Sequence, residues 1–307
     1  MKNQVGLKFK VAVILASFNG CEWIRAQIQS ILGQLECDVK IFIRDDCSTD
    51  DTVNMIRSID SHNQVNLIDS KNLATKSACL NFFKIINEVD FSEFDFLALS
   101  DQDDIWFPEK LAEGIRFIKK NNADAYSSNL IAYDNNASKS WFIHKTAKQK
   151  AFDYLFQGAS AGCTYILNAD AIRVIKKSLV QSQYTFYGFE SHDWIIYAIC
   201  RSHGLRWVHD DRSFIAYRQH TRNVFGAKPG LAGLISRYQL VKSGWYRSHV
   251  VLLNNFITAN KFELEVITSV ERDGFINRFF LLKNIFSFRR DLKGCIYLAL
   301  LILLNIF

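Results

Sequence analysis

Short apolar stretches alternate with longer stretches of helical period through the first 120 residues of this 307-residue chain. The apolar stretches read as buried β-strands, whereas the stretches between them place their apolar side chains on one helical face. Strands that alternate with helices of this length are joined by right-handed crossovers and form a mainly parallel sheet. The predicted strands are 10–17, 39–44, 65–68 and 94–99, and the predicted helices are 22–35, 52–59, 77–89 and 108–120.

The second part of the chain continues with a less regular pattern. A segment of small residues, 158–162, would let the backbone approach a ligand or another strand closely. The sequence predicts further strands at 123–133, 205–208 and 213–217, and helices at 170–179 and 189–200.

Three aspartates follow the fourth predicted strand directly: Asp101, Asp103 and Asp104. Carboxylates this close repel one another unless solvent or a cation compensates them, and Mg²⁺ is commonly shared between one or two carboxylates and substrate phosphates. One interpretation is therefore a metal site that grips a phosphorylated substrate. A solvated turn that caps the helix beginning near Pro108 fits the same residues, so both interpretations stay open here.

Polar residues also follow the first two predicted strands. Ser17 and Asn19 come after the first strand, and Asp46 comes after the second. The carboxyl ends of parallel strands meet at one edge, where open α/β sheets bind ligands. At that edge Asp46 can accept a hydrogen bond from a base N–H, while Asp101 and Asp103 hold a metal and a diphosphate.

Several other classes of protein are disfavoured by the motifs that the sequence lacks. There is no G-x-G-x-x-G after the first strand and no G-x-x-x-x-G-K-[ST], which argues against a dinucleotide oxidoreductase and a P-loop kinase. The seven cysteines are scattered without a C-x-x-C pair or a zinc-site spacing. They predict reduced thiols in a cytosolic protein.

The C-terminal part is rich in aromatic residues and in cations. Between Arg222 and Lys293 there are twelve Lys and Arg against five Asp and Glu, in a chain of net charge +6. As a helix, 294–307 would span ~21 Å, short of the ~30 Å hydrocarbon core. We therefore predict helices that lie in the membrane interface, with their cations toward acidic headgroups. Helices packed on the domain or on a second subunit are the alternative, and the many aliphatic residues argue against nucleic acid.

Five motifs occur in the order typical of one enzyme family. The motifs VAVILASFN (11–19), RDDCSTDDT (44–52) and LALSDQDDIWFPEKL (97–111) resemble the nucleotide-binding half of glycosyltransferase family 2. The motifs SHDW (191–194) and YRQH-x-x-N (217–223) resemble the acceptor half of bacterial rhamnosyltransferase-type members, which build surface polysaccharide such as O-antigen. The resemblance covers about residues 9–226.

This resemblance implies a GT-A fold, which is an α/β fold with a mainly parallel central sheet flanked by helices. It implies a glycosyltransferase domain over residues 1–228, with a nucleotide-sugar half at about 9–120 and an acceptor half at 121–228. Residues 229–307 would form a basic, apolar and helical C-terminal extension that associates with the membrane.

The resemblance also implies a site for the nucleotide of a nucleotide-diphospho-sugar donor. Asp46 would contact the base, and Ser17 and Asn19 would lie nearby. The family often has a glycine after its third strand, which this chain lacks. Lys76 could still reach a donor phosphate from that loop.

The D-x-D pair implied by the resemblance is Asp101 and Asp103, which would bind Mg²⁺ or Mn²⁺ together with the diphosphate. Gln102 between them is also assigned to the donor site. His220 is a candidate for a further metal or phosphate ligand. A hydrogen-bonded structural histidine is an equal alternative for His220.

Asp193 falls where the family places its catalytic base. The usual partner glutamate is replaced by His192, and Glu190 lies three residues upstream of Asp193. We assign Glu190, His192 and Trp194 to the acceptor site, although an aromatic residue at a helix start, such as Trp194, is more often a packing residue.

The implied function is inverting, metal-assisted transfer of a sugar, with rhamnose as the candidate, to a hydroxyl of a lipid-linked glycan. Such a transfer needs one base for the acceptor hydroxyl and one electrophile for the departing diphosphate. The enzyme would act as a peripheral protein on the inner face of the cell membrane, and a homo-oligomer is compatible with the sequence. The alternatives are a catalytically silent sugar-nucleotide-binding subunit of an assembly complex and a sugar-1-phosphate nucleotidyltransferase, which is disfavoured because no Gly-rich triphosphate loop follows the first strand.

Overall fold

The computed structural model describes residues 8–59, 63–70, 73–134, 138–182, 189–220 and 238–306. Strands and helices alternate in the first 120 residues, as predicted. The two-residue strand β5 is an addition that the sequence pattern did not indicate. The elements are β1 (Phe9–Ser17), α1 (Ile24–Leu32), β2 (Cys37–Asp45), α2 (Thr52–Arg57), β3 (Val65–Ile68), α3 (Ala78–Glu88), β4 (Phe96–Ser100), β5 (Ile105–Trp106) and α4 (Lys110–Lys120).

The second part combines further strands with a series of helices. The two predicted strands 205–208 and 213–217 form one long strand, β9, because both pair with β6 on either side of a bulge. The elements are β6 (Ala125–Asp134), β7 (Ser140–Ile143), β8 (Ile166–Asn168), α5 (Ala169–Gln181), α6 (His192–Ser202), β9 (Trp207–Gln219), α7 (Trp245–Leu252), α8 (Lys261–Arg272), α9 (Phe275–Lys283) and α10 (Leu292–Leu303).

The described strands form one nine-stranded sheet in the order β3-β2-β1-β4-β8-β6-β9-β5, with β7 paired to β6. The strands β1, β2, β3 and β4 are mutually parallel. Strand β8 is antiparallel to both β4 and β6, so β6 and its parallel neighbour β9 run in the same direction as β4. The prediction of an α/β fold with a mainly parallel sheet is confirmed.

Both faces of the sheet are covered by helices, which explains why the central strands are apolar throughout. In β1, Val11 and Val13 contribute to a core on the face covered by α1 and α4. Ala12 and Ile14 alternate with them and contribute to the core on the face of α3, α5 and α6.

The described C-terminal helices share a core with the sheet. Buried residues of α7 to α10, such as Val250, Val266 and Leu298, belong to the same apolar cluster as Phe82 of α3. The predicted domain boundary at 228/229 lies outside the described residues. Among the described residues, no helix is both long and apolar enough to cross a bilayer.

Candidate active site at the carboxyl edge of the sheet

The parallel strands β1, β2 and β4 end at one edge of the sheet. Ser17 is in register with Asp45 on β2, and Leu15 is in register with Ser100 on β4. The residues that follow β2 and β4 are therefore about two strand spacings apart, roughly 10 Å. The structure thus brings the three predicted polar clusters to a common edge.

Ser17 and Asn19 connect the loops that leave β1 and β2. The Ser17 hydroxyl donates to Asp45 Oδ1 at 2.9 Å, and the same carboxylate accepts from the Ser48 amide at 2.7 Å. Asn19 Oδ1 accepts from the Thr49 amide at 2.8 Å. These contacts fix the shape of the edge next to the predicted site for the nucleobase.

Asp46 is buried and organises the loop that follows β3. Its Oδ1 accepts from the Thr75 amide at 2.6 Å, and its Oδ2 accepts from the Lys76 amide at 2.7 Å. The buried Arg44 guanidinium lies 3.3 Å from Oδ1. Lys76 has a left-handed backbone with φ of 56°, and its side chain is exposed at this edge. Asp46 therefore supports the loop that presents Lys76.

Gln102 makes a two-point contact with the loop after β1. Its Oε1 accepts from the Phe18 amide at 2.9 Å, and its Nε2 donates to the Phe18 carbonyl at 2.9 Å. A Cβ atom at Gly20 would lie 2.2 Å from Gln102 Oε1, so the loop passes this side chain closely. The structure thus gives Gln102 a role in shaping the edge between the first and fourth strands.

The aspartates after β4 form an electrostatically strained group. Burial, together with the charges of Asp103 and Asp193, raises the pKa of the Asp101 carboxyl to about 7. Burial, with the charges of Asp103 and Asp101, also raises the pKa of Asp104 well above its usual range. These aspartates do not cap α4, whose N-cap is Glu109 without a side-chain cap bond. The capping interpretation is therefore wrong.

His220, which follows β9, closes this group from the other side. Its Nε2 lies 2.7 Å from Asp103 Oδ2, and its ring stacks on Trp23 with the ring centres 4.1 Å apart. The Arg218 guanidinium donates to the Asp103 carbonyl at 3.0 Å. In this structure His220 is therefore a histidine hydrogen-bonded to Asp103, and its role as a metal or phosphate ligand stays a prediction.

The ligand atoms around Asp104 fit a divalent cation. One oxygen of Asp104, Oδ2, is buried and makes no hydrogen bond to any described residue. Ligand atoms of Asp101, Asp104 and Cys163 lie within 4.8 Å of one another. Carboxylates suit Mg²⁺ and Mn²⁺, whereas a thiol is a softer ligand. Asp101 belongs to this converging group, and the predicted ligand set of Asp101, Asp103 and His220 stays a prediction.

Asp193 lies in the first turn of α6. Its Oδ1 accepts from the Ser191 hydroxyl and, at 2.8 Å, from the Trp194 amide. Within the described ranges no hydrogen bond is made to Oδ2. The charge of Asp193 contributes, after burial and Asp103, to the raised pKa of Asp101. A Cβ atom at Gly162, next to Cys163, would lie 3.4 Å from Asp193 Cβ. The role of Asp193 as the catalytic base stays a prediction.

His192 and Trp194, which flank Asp193, are packing residues in this structure. The Trp194 indole is buried and donates to the Tyr154 carbonyl at 2.7 Å. The His192 ring stacks on Phe82 with centres 4.1 Å apart, and burial lowers the pKa of His192. The indole face of Trp194 is therefore not available to a sugar, which corrects its assignment to the acceptor site.

Glu190 is exposed and contacts the C-terminal helices. Its Oε2 accepts from the Trp245 indole at 3.0 Å, and its amide donates to His249 Nε2 at 3.1 Å. The structure thus places Glu190 between the segment that leads to Asp193 and helix α7.

Comparison with protein families assigns these features to one enzyme class. The model of the family described as glycosyl transferase family 2 matches residues 12–182. This chain belongs to glycosyltransferase family 2. The match includes the strand ends that carry Asp46, Asp101 and Asp103.

Relatives of this family 2 glycosyltransferase include bacterial sugar transferases. It is 33% identical over 295 residues to the dTDP-rhamnosyl transferase RfbG of Shigella flexneri, an alignment that covers 95% of this chain and 100% of RfbG. It is 26% identical over 160 residues to the glucosyltransferase WfgD of Escherichia coli, covering 52% of this chain and 60% of WfgD.

Solved structures confirm the predicted GT-A type of fold for the transferase. S. aureus TarS 1–349 in complex with UDP-GlcNAc superposes with a TM-score of 0.58 at 14% identity, covering 97% of this chain and 80% of that chain. The mannosyltransferase PcManGT from Pyrobaculum calidifontis, in complex with GDP-Man and Mn²⁺, superposes with a TM-score of 0.52 at 13% identity, covering 98% and 81%. A longer TarS chain, of which this chain spans 44%, gives 0.54 at 12% identity.

The transferase site includes residues that the sequence pattern did not indicate. Cys163 and Tyr165 follow the small-residue segment 158–162, and the thiol of Cys163 contacts the aspartates after β4. The Tyr165 hydroxyl lies 3.3 Å from the carbonyl of Asp193. The five small residues were the available signal, since they indicated a close backbone approach without naming its partner.

The arrangement can perform proton transfer beside a cation-binding group. Asp193 offers an oxygen that accepts no hydrogen bond within the described ranges, and its charge contributes, after burial and Asp103, to the raised pKa of Asp101. A carboxylate base and an electrophilic group are the two components that an inverting group transfer needs.

Proposed function

We propose that this glycosyltransferase moves rhamnose from dTDP-rhamnose to a hydroxyl of a lipid-linked glycan, with inversion at the anomeric carbon. The similarity to RfbG, which extends over 95% of this chain, supports a dTDP-sugar donor. The observation that supports the mechanism is the position of Gly162 and Cys163: a Cβ atom at Gly162 would lie 3.4 Å from Asp193 Cβ, and the thiol of Cys163 lies within 4.8 Å of the ligand atoms of Asp101.

In the proposed reaction, Asp193 Oδ2 accepts the proton of the acceptor hydroxyl. The hydroxyl oxygen forms a bond to the anomeric carbon, the bond from that carbon to the diphosphate breaks, and dTDP leaves. The hydroxyl of Ser191 and the amide of Trp194 orient the carboxylate through Oδ1. Asp101, Asp103 and His220 would hold Mg²⁺ or Mn²⁺, which supplies positive charge for the leaving diphosphate.

The test is a transfer assay with matched variants. The purified protein is incubated with dTDP-rhamnose, Mn²⁺ or Mg²⁺, and lipid-linked glycans extracted from producing cells, and dTDP release and sugar in the lipid fraction are measured. Asp193→Asn should lower transfer by about 10³-fold, within the range for a general base, and should leave dTDP binding unchanged. Asp103→Asn should weaken dTDP binding in the presence of Mn²⁺.

The exposed Asp170 provides a control, and Asp170→Asn should retain wild-type transfer. Binding of dTDP-rhamnose without transfer to any glycan would favour the silent binding subunit instead. Full transfer by Asp193→Asn would show that another group is the base.

We also propose that the enzyme binds the inner face of the cell membrane through α9 and α10. Phe275 is 86% exposed, Ile276 is 80% exposed and Phe279 is 64% exposed. The apolar surface continues along α10 with Leu300 and Leu303. Exposed apolar surface of this extent marks an interaction site.

Charge near the apolar face favours an anionic lipid surface as its partner. The exposed Lys283 at the end of α9 and Lys293 at the start of α10 lie beside the face. Each cation near an anionic bilayer contributes about 1 kcal/mol of attraction. A lipid-linked acceptor would be presented at the same surface.

Sedimentation with vesicles tests this surface. Phe275→Ser with Phe279→Ser should abolish binding to phosphatidylglycerol vesicles, and binding to phosphatidylcholine vesicles should be weak for every variant. Phe142→Ser is the matched control, because Phe142 is an exposed aromatic residue on β7. Unchanged vesicle binding, with a dimer converted to a monomer, would instead identify a subunit interface.

A further inference from the structure

Two adjacent arginines of the C-terminal extension bind the backbone of the segment that precedes Cys163. Arg290 Nη1 donates to the Ala159 carbonyl at 2.9 Å, and Nη2 donates to the Gly158 carbonyl. Arg289 Nη1 donates to the Phe156 carbonyl at 3.0 Å. Three carbonyls of one segment are thus bound by side chains that lie about 130 residues later in the chain.

Arg290 is itself fixed from several directions. Its Nε lies 3.6 Å from Asp153 Oδ2, and this aspartate is fully buried. Asp153 also receives hydrogen bonds from Arg201 and Tyr197. Arg290 Nη1 donates to His209 Nε2 at 3.1 Å. The guanidinium is therefore a rigid anchor and not a surface cation.

The anchored segment runs along the turn that carries Asp193. A Cβ atom at Gly158 would lie 3.5 Å from Trp194 Cα, and one at Gly162 would lie 3.4 Å from Asp193 Cβ. The Tyr165 hydroxyl accepts from the Ala159 amide at 3.0 Å and lies 3.3 Å from the Asp193 carbonyl. A shift of this segment would therefore move the carboxylate of Asp193.

The same segment also contacts the aspartates after β4. The Cys163 thiol, directly after Gly162, lies within 4.8 Å of the ligand atoms of Asp101 and Asp104. The segment 158–163 therefore lies against Asp193 at Gly162 and against Asp101 and Asp104 at Cys163. Its position sets how far Asp193 is from these two aspartates.

We propose that Arg290 is a positioning residue for sugar transfer: by binding the carbonyls of Gly158 and Ala159, it holds the segment that spaces Asp193 from Asp101. This inference rests on the proposed function of Asp193. It makes the C-terminal extension a structural part of the catalytic site in addition to its proposed role at the membrane.

A planar guanidinium is required for this role. The fork of Arg290 reaches two carbonyls, an imidazole and a carboxylate together, whereas a lysine ammonium is a point charge on a flexible stem. Arg290→Lys should therefore keep the positive charge next to Asp153 but make fewer hydrogen bonds to the carbonyls of Gly158 and Ala159. A displacement of about 1 Å at a reacting group can cost about 10²-fold in rate.

The experiment compares Arg290→Ala and Arg290→Lys in the full-length chain. We expect kcat for transfer to fall about 100-fold in Arg290→Ala and about tenfold in Arg290→Lys. The affinity for dTDP with Mn²⁺, measured by calorimetry, should change less than threefold, because the proposed donor residues lie on the loops after β1, β2, β3 and β4 and not on the segment that Arg290 binds. Thermal unfolding identifies any variant that fails to fold, in which case Arg290→Lys decides the result.

Arg272→Ala is the matched control, since Arg272 is an exposed arginine at the end of α8. A kcat for both Arg290 variants equal to that of Arg272→Ala would overturn the positioning role, as would a parallel loss of kcat and dTDP affinity. Asp193→Asn separates the two proposals. If it retains transfer, another group is the base and the positioning role, which rests on Asp193, falls with that assignment; if it is inactive while Arg290→Ala is fully active, only the positioning role is wrong.

Discussion

At the scale of single residues, His209 is a neutral histidine whose Nε2 accepts a hydrogen bond from Arg290. Because the guanidinium donates to Nε2, the ring proton lies on Nδ1, which donates to the Ser127 hydroxyl at 2.8 Å. Burial, with the positive charges of Arg290 and Arg201, lowers the pKa of His209 to about 3. Protonation of this ring therefore opposes the folded state.

This histidine predicts an acid-sensitive stability. The folded-state pKa lies below the unfolded value of about 6.5, so the unfolded chain binds more protons between these two values. The free energy of unfolding should therefore fall as pH decreases from about 6.5 toward 3, by at most about 1.4 kcal/mol per pH unit from this group. Urea midpoints measured between pH 7 and 5 should show a smaller slope in His209→Gln.

The exposed His144 is the control for that measurement, and His144→Gln should keep the wild-type slope. An identical pH dependence in His209→Gln and in the wild type would contradict the assignment.

Gly20 and Gln102 predict a coupled pair of substitutions. Gly20→Ala should lower the free energy of unfolding by about 1–3 kcal/mol, because the new Cβ meets the amide of Gln102. Gln102→Ala should also destabilise, since it removes two hydrogen bonds to Phe18. The double variant should lose less than the sum, because the shortened side chain leaves room for the methyl group. Strict additivity in chemical denaturation would refute the contact.

The residues of the site could be predicted from sequence to different degrees. The positions of Asp101 and Asp103 followed from an apolar strand ending in carboxylates, since sheet topology fixes where strand ends meet. Packing was the stated alternative for Trp194, but its partners could not be predicted. The hydrogen bonds between Gln102 and Phe18 could not be predicted either, because a residue type does not reveal which neighbour lies beside it. The assignment of Asp46 as a contact of the nucleobase stays a prediction.

At the scale of elements, helix α8 begins with a capping box. Asn260 accepts from the Phe262 and Glu263 amides, and the Glu263 side chain accepts from the Asn260 amide. The Tyr154 hydroxyl also donates to Glu263, which joins the start of α8 to the segment that follows β7. The cap therefore serves both the helix and its contact with the sheet domain.

Asn260→Ala should lower the free energy of unfolding by about 1 kcal/mol, the usual contribution of a helix N-cap. Asn260→Asp should stay within a few tenths of the wild-type value, because aspartate caps as well as asparagine does. Urea denaturation of the three proteins provides the comparison, and equal midpoints for all three would contradict the capping role.

The elements themselves were well predicted where period and polarity agreed. Strand β3 has the predicted bounds, and α3 lies within the predicted 77–89. The join of two predicted strands into β9 was missed, because the polar residues 209–212 are typical of a turn and only pairing with β6 keeps them extended. Long-range pairing is not encoded in a local pattern.

At the scale of the whole molecule, the extension and the sheet share one apolar core. Phe288 is fully buried and lies 4.5 Å from Phe156 between ring centres, whereas Phe286, two residues earlier, is 65% exposed. The sequence predicted apolar helices here but could not assign which side chains face the core. Packing on the domain, one of the two alternatives, is thus confirmed for one face, and membrane association of the exposed face stays a proposal.

This shared core predicts a single unfolding transition. Far-ultraviolet circular dichroism and tryptophan fluorescence should report the same urea midpoint, because burial couples the helices to the sheet. A chain lacking 275–307 should aggregate, since it would expose the side chains that Phe288 and Leu298 cover. Two separate midpoints for the full chain would instead indicate an independently folding extension.

The hydrogen bonds from Arg289 and Arg290 to the backbone of residues 156–159 have a practical consequence for engineering acceptor preference. In a chimaera with the C-terminal half of another enzyme, other side chains would replace Arg289 and Arg290 next to the carbonyls of residues 156–159. A swap should therefore exchange residues 153–165 and the C-terminal extension together. The carbonyls and the arginines that bind them then come from the same enzyme, while the donor-binding strands of the recipient enzyme stay unchanged.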